Sequence, residues 1–249
     1  MIESRRPPRV HDVTRLTGPQ ARGLAAMNSW ELEDAEREYR MAIEKSPSTA
    51  GPHHWYANLL GYLGRHDEAI AELRTALELD PLSIPIHTAL GSAYYFARRY
   101  EESVAAHQAT IALDPSFVHV HDNLAGTYMK MGRYEEALAA LEEAARIDAT
   151  AVSPVRIAEL RAGFEKDGVR GFHEAALEGL RKGKEAWLRM FDMAAEAAEL
   201  GRLDEAMALL EELVERRQPI ALQIGVEPAF DPLRSDPRFK ALLVRVGLG

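Results

Sequence analysis

A spacing of 34 residues constrains this chain more than any other feature. Pro47, Pro81, Pro115 and Ala149 stand 34 apart, and the stretches ending on the last three read HDEAIAELRTALELDP, YEESVAAHQATIALDP and YEEALAALEEAARIDA. Within each, apolar and small residues return at steps of three and four, which places them on one face of a helix. A short helical unit cannot bury such a face alone. Repetition at a fixed period lets successive units stack and share one continuous core. The fold class this predicts is all-α: a right-handed superhelical solenoid of antiparallel helix pairs.

Dividing the chain at Leu16, Ala50, Ile84 and Val118 gives four units, 16–49, 50–83, 84–117 and 118–151. Small residues recur at position 8 (Gly23, Ala57, Gly91, Ala125), position 20 (Ala35, Ala69, Ser103, Ala137) and position 27 (Ala42, Ala76, Thr110, Ala144). A larger side chain there would force the paired helix axes apart. Larger residues fill the spaces between: Tyr56, Leu90 and Leu124 at position 7, Leu60, Tyr94 and Tyr128 at position 11, Tyr39, Leu73 and Leu141 at position 24. Gly64 and Gly132 are placed to end the first helix of a pair. Asp80-Pro81 and Asp114-Pro115 end the second, because proline cannot continue a helix.

The string Gly-x-Tyr-x-Glu-Ala followed by Ala-Leu-x-Leu-Asp-Pro resembles the tetratricopeptide repeat (TPR) family. Units two to four carry it most fully. In unit one Arg22 stands at a large apolar position and Trp30 replaces the turn glycine. The register continues beyond unit four: Ala206 lies 69 residues after Ala137, two periods plus one. Residues 152–186 are therefore read as a degenerate helix pair, with Ser153-Pro154 at its start and Asp167-Gly168 as its turn. Residues 187–220 form a sixth TPR-like unit. Residues 221–249 form a C-terminal cap that hides the open end of the stack with Phe230, Leu233, Phe239, Leu242 and Leu243. The string FDPLRSDPRF resembles the end of TPR regions in bacterial multidomain signalling and transcriptional regulators, in which a kinase, cyclase or winged-helix effector precedes the array. Residues 1–15, with Pro7, Pro8 and several arginines, read as a flexible leader.

The formal charge of −9 is unevenly placed: between residues 16 and 231 there are 22 basic against 36 acidic side chains. A body this acidic repels a phosphate backbone, so the array itself is not expected to bind nucleic acid. No apolar run has the length of a membrane span, and no apolar segment follows the charged start, so neither a membrane partner nor a signal peptide is expected. The chain has no cysteine, which removes thiolate metal sites, cysteine nucleophiles and disulfides and suits a cytoplasmic setting.

Catalytic spacings are absent: there is no glycine-rich phosphate loop, His-Glu-x-x-His or EF-hand loop. The expectation is a non-enzyme with no cofactor and no metal. His66-Asp67-Glu68 has the His-x-Glu spacing of zinc deaminases but lacks their cysteines, and it opens a helix instead. His53, His87 and His121 repeat at position 4. Equivalent atoms on stacked helices lie roughly 9–10 Å apart, too far to share one zinc readily, so packing is the expected role.

In TPR proteins the first helix of each pair lines a concave face. Mapped onto this chain, the resemblance implies a peptide-binding set of Asn28; His54, Asn58 and Tyr62; Thr88, Ser92, Tyr95 and Phe96; and His119, Asp122, Met129 and Lys130. Residues 54, 58 and 62 fall on one helical stripe. Amides, hydroxyls and aromatic rings suit an extended peptide, whose backbone needs partners and whose side chains need pockets. The carboxylate clamp of chaperone-binding TPRs is matched only at Asn58. His54, Ala89, His119 and Asn123 stand at its other positions, so the cations that hold a terminal carboxylate are missing. The expected function is a protein–protein interaction scaffold in bacterial signalling, or the sensor segment of a larger regulator. Self-association is a further option.

Overall fold

A computed structural model of the protein describes residues 18–150, 152–182 and 189–249. Twelve α-helices and no strands occur among them. They are α1 (Gly18–Asn28), α2 (Leu32–Lys45), α3 (Ala50–Tyr62), α4 (His66–Leu79), α5 (Ile84–Phe96), α6 (Tyr100–Leu113), α7 (Val118–Lys130), α8 (Tyr134–Ile147), α9 (Pro154–Lys182), α10 (Met190–Glu199), α11 (Leu203–Glu215) and α12 (Pro237–Arg245). Two short 3-10 helices, Pro219–Gln223 and Pro228–Leu233, lie between α11 and α12. Successive helices pair antiparallel and the pairs stack, which is the TPR helical solenoid. The leader expected over residues 1–15, and the joint between the degenerate pair and the sixth unit at 183–188, lie outside the described residues.

The small residues do what their spacing implies. Ala35, Ala69, Ser103 and Ala137 are fully buried, as are Ala76, Thr110 and Ala144. Positions 8 and 24 turn out to be matched in shape. Tyr39 lies over Gly23 and His107 over Gly91; a Cβ on either glycine would stand 2.7 Å from the tyrosine ring and 2.3 Å from the imidazole. In the two alternate units the corresponding pairs are Ala57 with Leu73 and Ala125 with Leu141. A flat ring lies across the neighbouring helix and needs glycine beneath it, while a branched leucine leaves room for a methyl group. Arg22, at its nominally apolar position, stays exposed and pairs with Glu38 at 2.7 Å.

Long α9 is two helical arms joined at Asp167 and Gly168, whose φ of +56° breaks the helix. The arms fold together at Gly163 and Gly171, where a Cβ on one would meet the other's carbonyl oxygen at 2.3 or 2.0 Å. A tertiary network then fixes the second arm: His173 Nε2 lies 2.8 Å from the Tyr134 hydroxyl, and its Nδ1 lies 2.7 Å from Glu196.

The turn between paired helices places one residue in the left-handed region. Gly64, Gly132 and Gly201 occupy it with φ of 72–74°, as a helix C-terminus prefers. Trp30 and Arg98 take the same conformation with φ of 64° and 60°. A side chain there costs on the order of 1–2 kcal/mol. Both exceptions meet the C-terminal segment. The Trp30 ring stacks under Arg217, 4.9 Å from the guanidinium carbon, and its carbonyl faces Gly247. Arg98 donates to the Val226 carbonyl and to Asp231, each at 2.7 Å.

The C-terminal segment therefore has two roles. Phe230, Leu233, Phe239 and Leu242 are all at most 2% exposed and close the α10–α11 end of the core. Leu222 belongs instead to the core of the first three units. Trp30 and Leu248 pack against both cores and bring the two ends of the solenoid together.

Candidate functional site

Helices α3, α5 and α7 stand side by side as the inner wall of the solenoid, and the chain from Gln223 to Pro232 crosses in front of them. The crossing is pinned by hydrogen bonds. Tyr62 bonds Gln223, the Tyr95 hydroxyl donates to Glu227 at 2.8 Å, and Arg98 holds Val226 and Asp231. It divides the concave face into two chambers that share Tyr95, Gly126 and Glu227.

The first chamber has a volume of about 450 Å³. His54, Asn58 and Tyr62 of α3, Thr88, Ser92, Tyr95 and Phe96 of α5, and His119 and Asp122 of α7 all line it. Met129 and Lys130 line the second chamber, of about 660 Å³. Asn28 lines neither and is exposed near the end of α1. Of the twelve residues that the resemblance implies for the groove, nine thus line the first chamber, two line only the second and one lines neither.

Several of them are not free. Tyr95 is spent on Glu227, and burial together with that carboxylate pushes its phenol well above the usual range. Lys130 is paired with Glu199. The Thr88 hydroxyl donates to the Ile84 carbonyl at 2.8 Å and that of Ser92 to the Thr88 carbonyl at 3.2 Å, so each offers the groove an acceptor. Burial raises the Asp122 carboxyl despite its histidine neighbours, His119 and His121. The side-chain amides of Asn58 and Asn123 line the first chamber half-buried, with no hydrogen-bond partner among the described residues. Amides left this way retain two donors and an acceptor each.

Four polar residues of the first chamber lie outside the set that the resemblance implies. Asn123 follows Asp122 on α7 and stands one position outside the stripe. His107, on α6, forms part of the first chamber's floor; it is 1% exposed, and its Nδ1 has no hydrogen-bond partner. Burial drives its pKa down to about 4, so the ring is neutral at physiological pH. Gln223 and Glu227 arrive from the cap, and no local pattern marks them as groove residues. Two of the position-4 histidines make polar contacts, His53 with Glu72 at 2.6 Å and the Pro47 carbonyl at 3.3 Å and His87 with the Pro81 carbonyl at 2.9 Å, while His121 is buried with its Nε2 unpaired among the described residues. Among the described residues no group of three His, Cys, Asp or Glu could hold a metal ion. No described helix is long and apolar enough to cross a membrane.

Stacked antiparallel helix pairs around a two-chambered groove define a helical-repeat binding protein. Residues 57–95 match the family model described as TPR repeat, and residues 118–151 match that of the tetratricopeptide repeat. The chain contains tetratricopeptide repeats. A comparison with curated proteins gave no match. Among solved structures, the chain is similar to the crystal structure of MamA, with 19% identity over 82% of this chain and 92% of that one and a TM-score of 0.46. It is also similar to a mutant O-GlcNAc transferase from Thermobaculum terrenum, with 21% identity over 51% of this chain and 25% of that one and a TM-score of 0.47.

Proposed function

We propose that this protein-interaction scaffold is non-catalytic and holds an extended segment of a partner protein in the first chamber. One observation carries the reading: the unpaired amides of Asn58 and Asn123, on α3 and α7, line the same chamber on either side of α5. Each amide keeps donors and an acceptor free toward the chamber, and a peptide backbone supplies their complement. His54, Phe96 and Phe117 add the apolar and aromatic surface that side chains of such a segment would meet. A cytoplasmic role in bacterial regulation suits this reading, with the array sensing or docking on behalf of an effector. The support there is the resemblance of the Phe230–Phe239 string to the tails of regulator arrays.

The test is capture of partners from the native cell by wild type and by the double variant Asn58→Ala/Asn123→Ala, with Glu78→Gln as a control lining neither chamber. Loss of two buried-site hydrogen-bonding amides is expected to weaken the specific partner by about tenfold or more at unchanged helical content, since each such bond contributes roughly 1 kcal/mol. Equal recovery by wild type and the amide variant would place the binding surface elsewhere.

A further inference from the structure

The second chamber differs in chemistry from the first. Its walls include Tyr95, Tyr100, Tyr134, Phe172 and Phe191, with five carboxylates, Asp192, Glu196, Glu199, Glu227 and Asp231, against two cations, Lys130 and Arg156. Most of these charges are already matched. Lys130 pairs with Glu199, Glu196 with the His173–Tyr134 relay, and Asp231 with Arg98 and Arg234. Arg156 is turned away to the carbonyls of Ala175 and Ala176 and to Glu159.

Two carboxylates remain. Glu227 is 8% exposed; its Oε1 accepts from Tyr95 and from the Ala229 backbone, while no donor among the described residues reaches Oε2. Asp192 makes no hydrogen bond or ion pair among the described residues, although Arg189 lies close enough to act on its charge. Burial raises the pKa of Glu227 against the pull of Lys130 and Arg98, whereas Asp192 is solvent-exposed on the chamber wall. A buried carboxylate oxygen left without a donor, as Glu227 Oε2 is, is costly, and a cation entering the chamber supplies that donor. Aromatic faces around such a site favour a cation further.

We propose that the second chamber binds the cationic side chain of an arginine or lysine carried by the partner segment. The proposal rests on the peptide reading of the first chamber, to which the second is joined at Tyr95, Gly126 and Glu227. It also specifies the partner: a basic segment, matched to the acidic body of the array, the opposite of the acidic tail that a carboxylate clamp accepts.

Calorimetric titration of the full chain at low salt tests it with three probes: acetyl-Gly-Gly-Arg-Gly-Gly-amide, its twin with neutral citrulline in place of arginine, and agmatine. The arginine peptide is expected to bind at least tenfold tighter than the citrulline twin. Asp192→Asn and Glu227→Gln should each weaken it by tenfold or more, and Glu78→Gln should leave it unchanged. Asp192 holds no structural bond, so its variant keeps the test valid should Glu227→Gln disturb the crossing. No binding of the arginine peptide to wild type, equal binding of the two peptides, or full affinity in Asp192→Asn would overturn the proposal. Agmatine binding as tightly as the peptide would overturn the assignment to a partner's side chain. These results are separable from the amide test: loss of partner capture in Asn58→Ala/Asn123→Ala beside indifference to arginine would leave the first chamber's role standing alone.

Discussion

Phe230→Ala is expected to lower the unfolding free energy by about 3–5 kcal/mol, the range found for deleting a fully buried aromatic ring. The ring is 0% exposed and meets Phe191 edge to face at 5.3 Å, with Phe239 on its other side at 6.4 Å. The ring shares a closed core with Ala194, Leu210, Leu233 and Leu242, themselves at most 2% exposed, so its loss leaves a cavity. The consequence reaches the groove. Phe230 anchors the segment that carries Glu227 and Asp231, so its loss should also loosen the bonds to Tyr95 and Arg98. Denaturant unfolding followed by circular dichroism measures the first effect, and amide exchange over residues 223–233 measures the second. A stability loss under 1 kcal/mol, or unchanged protection of that segment, would show that the ring is not the anchor. The exposed Val244→Ala, 68% accessible on the same cap, should by contrast be nearly silent.

The second large effect concerns Gly91 and His107. Gly91→Ala is favoured by helix propensity by about 1 kcal/mol, yet its new methyl group would lie 2.3 Å from the imidazole. Overpacking of this kind costs roughly 1–3 kcal/mol or more, so the single variant is expected to be destabilised. His107→Leu installs the residue that Leu73 and Leu141 already supply at this position, and it removes a buried nitrogen without a partner. The double variant Gly91→Ala/His107→Leu recreates the alanine–leucine pairing of the alternate units. Its stability should equal or exceed wild type, with a strongly favourable coupling in the double-mutant cycle. Additive effects would refute the shape matching of positions 8 and 24.

The same histidine ties stability to pH. Its folded pKa is depressed to about 4 by burial, against about 6.5 in the unfolded chain. Between these values the unfolded state binds more protons, so stability falls as pH is lowered through that window. The loss from this group reaches on the order of 3 kcal/mol by pH 4 and is absent above pH 7. His107→Leu should flatten that part of the profile. An identical acid slope in wild type and variant would show that His107 is not buried and neutral.

The repeat architecture was legible because its determinants are local and repeated. A period of 34, small residues at positions 8, 20 and 27, and turn glycines each report on a contact that recurs from unit to unit. The chamber-lining residues of α3, α5 and α7 were legible through the TPR resemblance, which says which stripe of the first helices faces inward. What escaped the sequence is non-periodic. Trp30 read as a departure from a turn pattern and nothing marked Arg98; only the three-dimensional structure shows that both touch the C-terminal segment. Tyr95 and Lys130 read as groove groups free to bind, but their partners Glu227 and Glu199 lie 132 and 69 residues away. His107 was hidden by a position that otherwise carries tyrosine or leucine.

The central claim is that the chain's own C-terminal segment crosses the concave face and divides it. Replacing Tyr95 with p-benzoylphenylalanine puts a photoreactive ring where the tyrosine now meets Glu227. Irradiation of the full chain at low protein concentration, followed by peptide mass spectrometry, should give an intramolecular crosslink from residue 95 to the segment 223–232. Crosslinks confined to neighbouring helices, or found only between separate molecules, would contradict it.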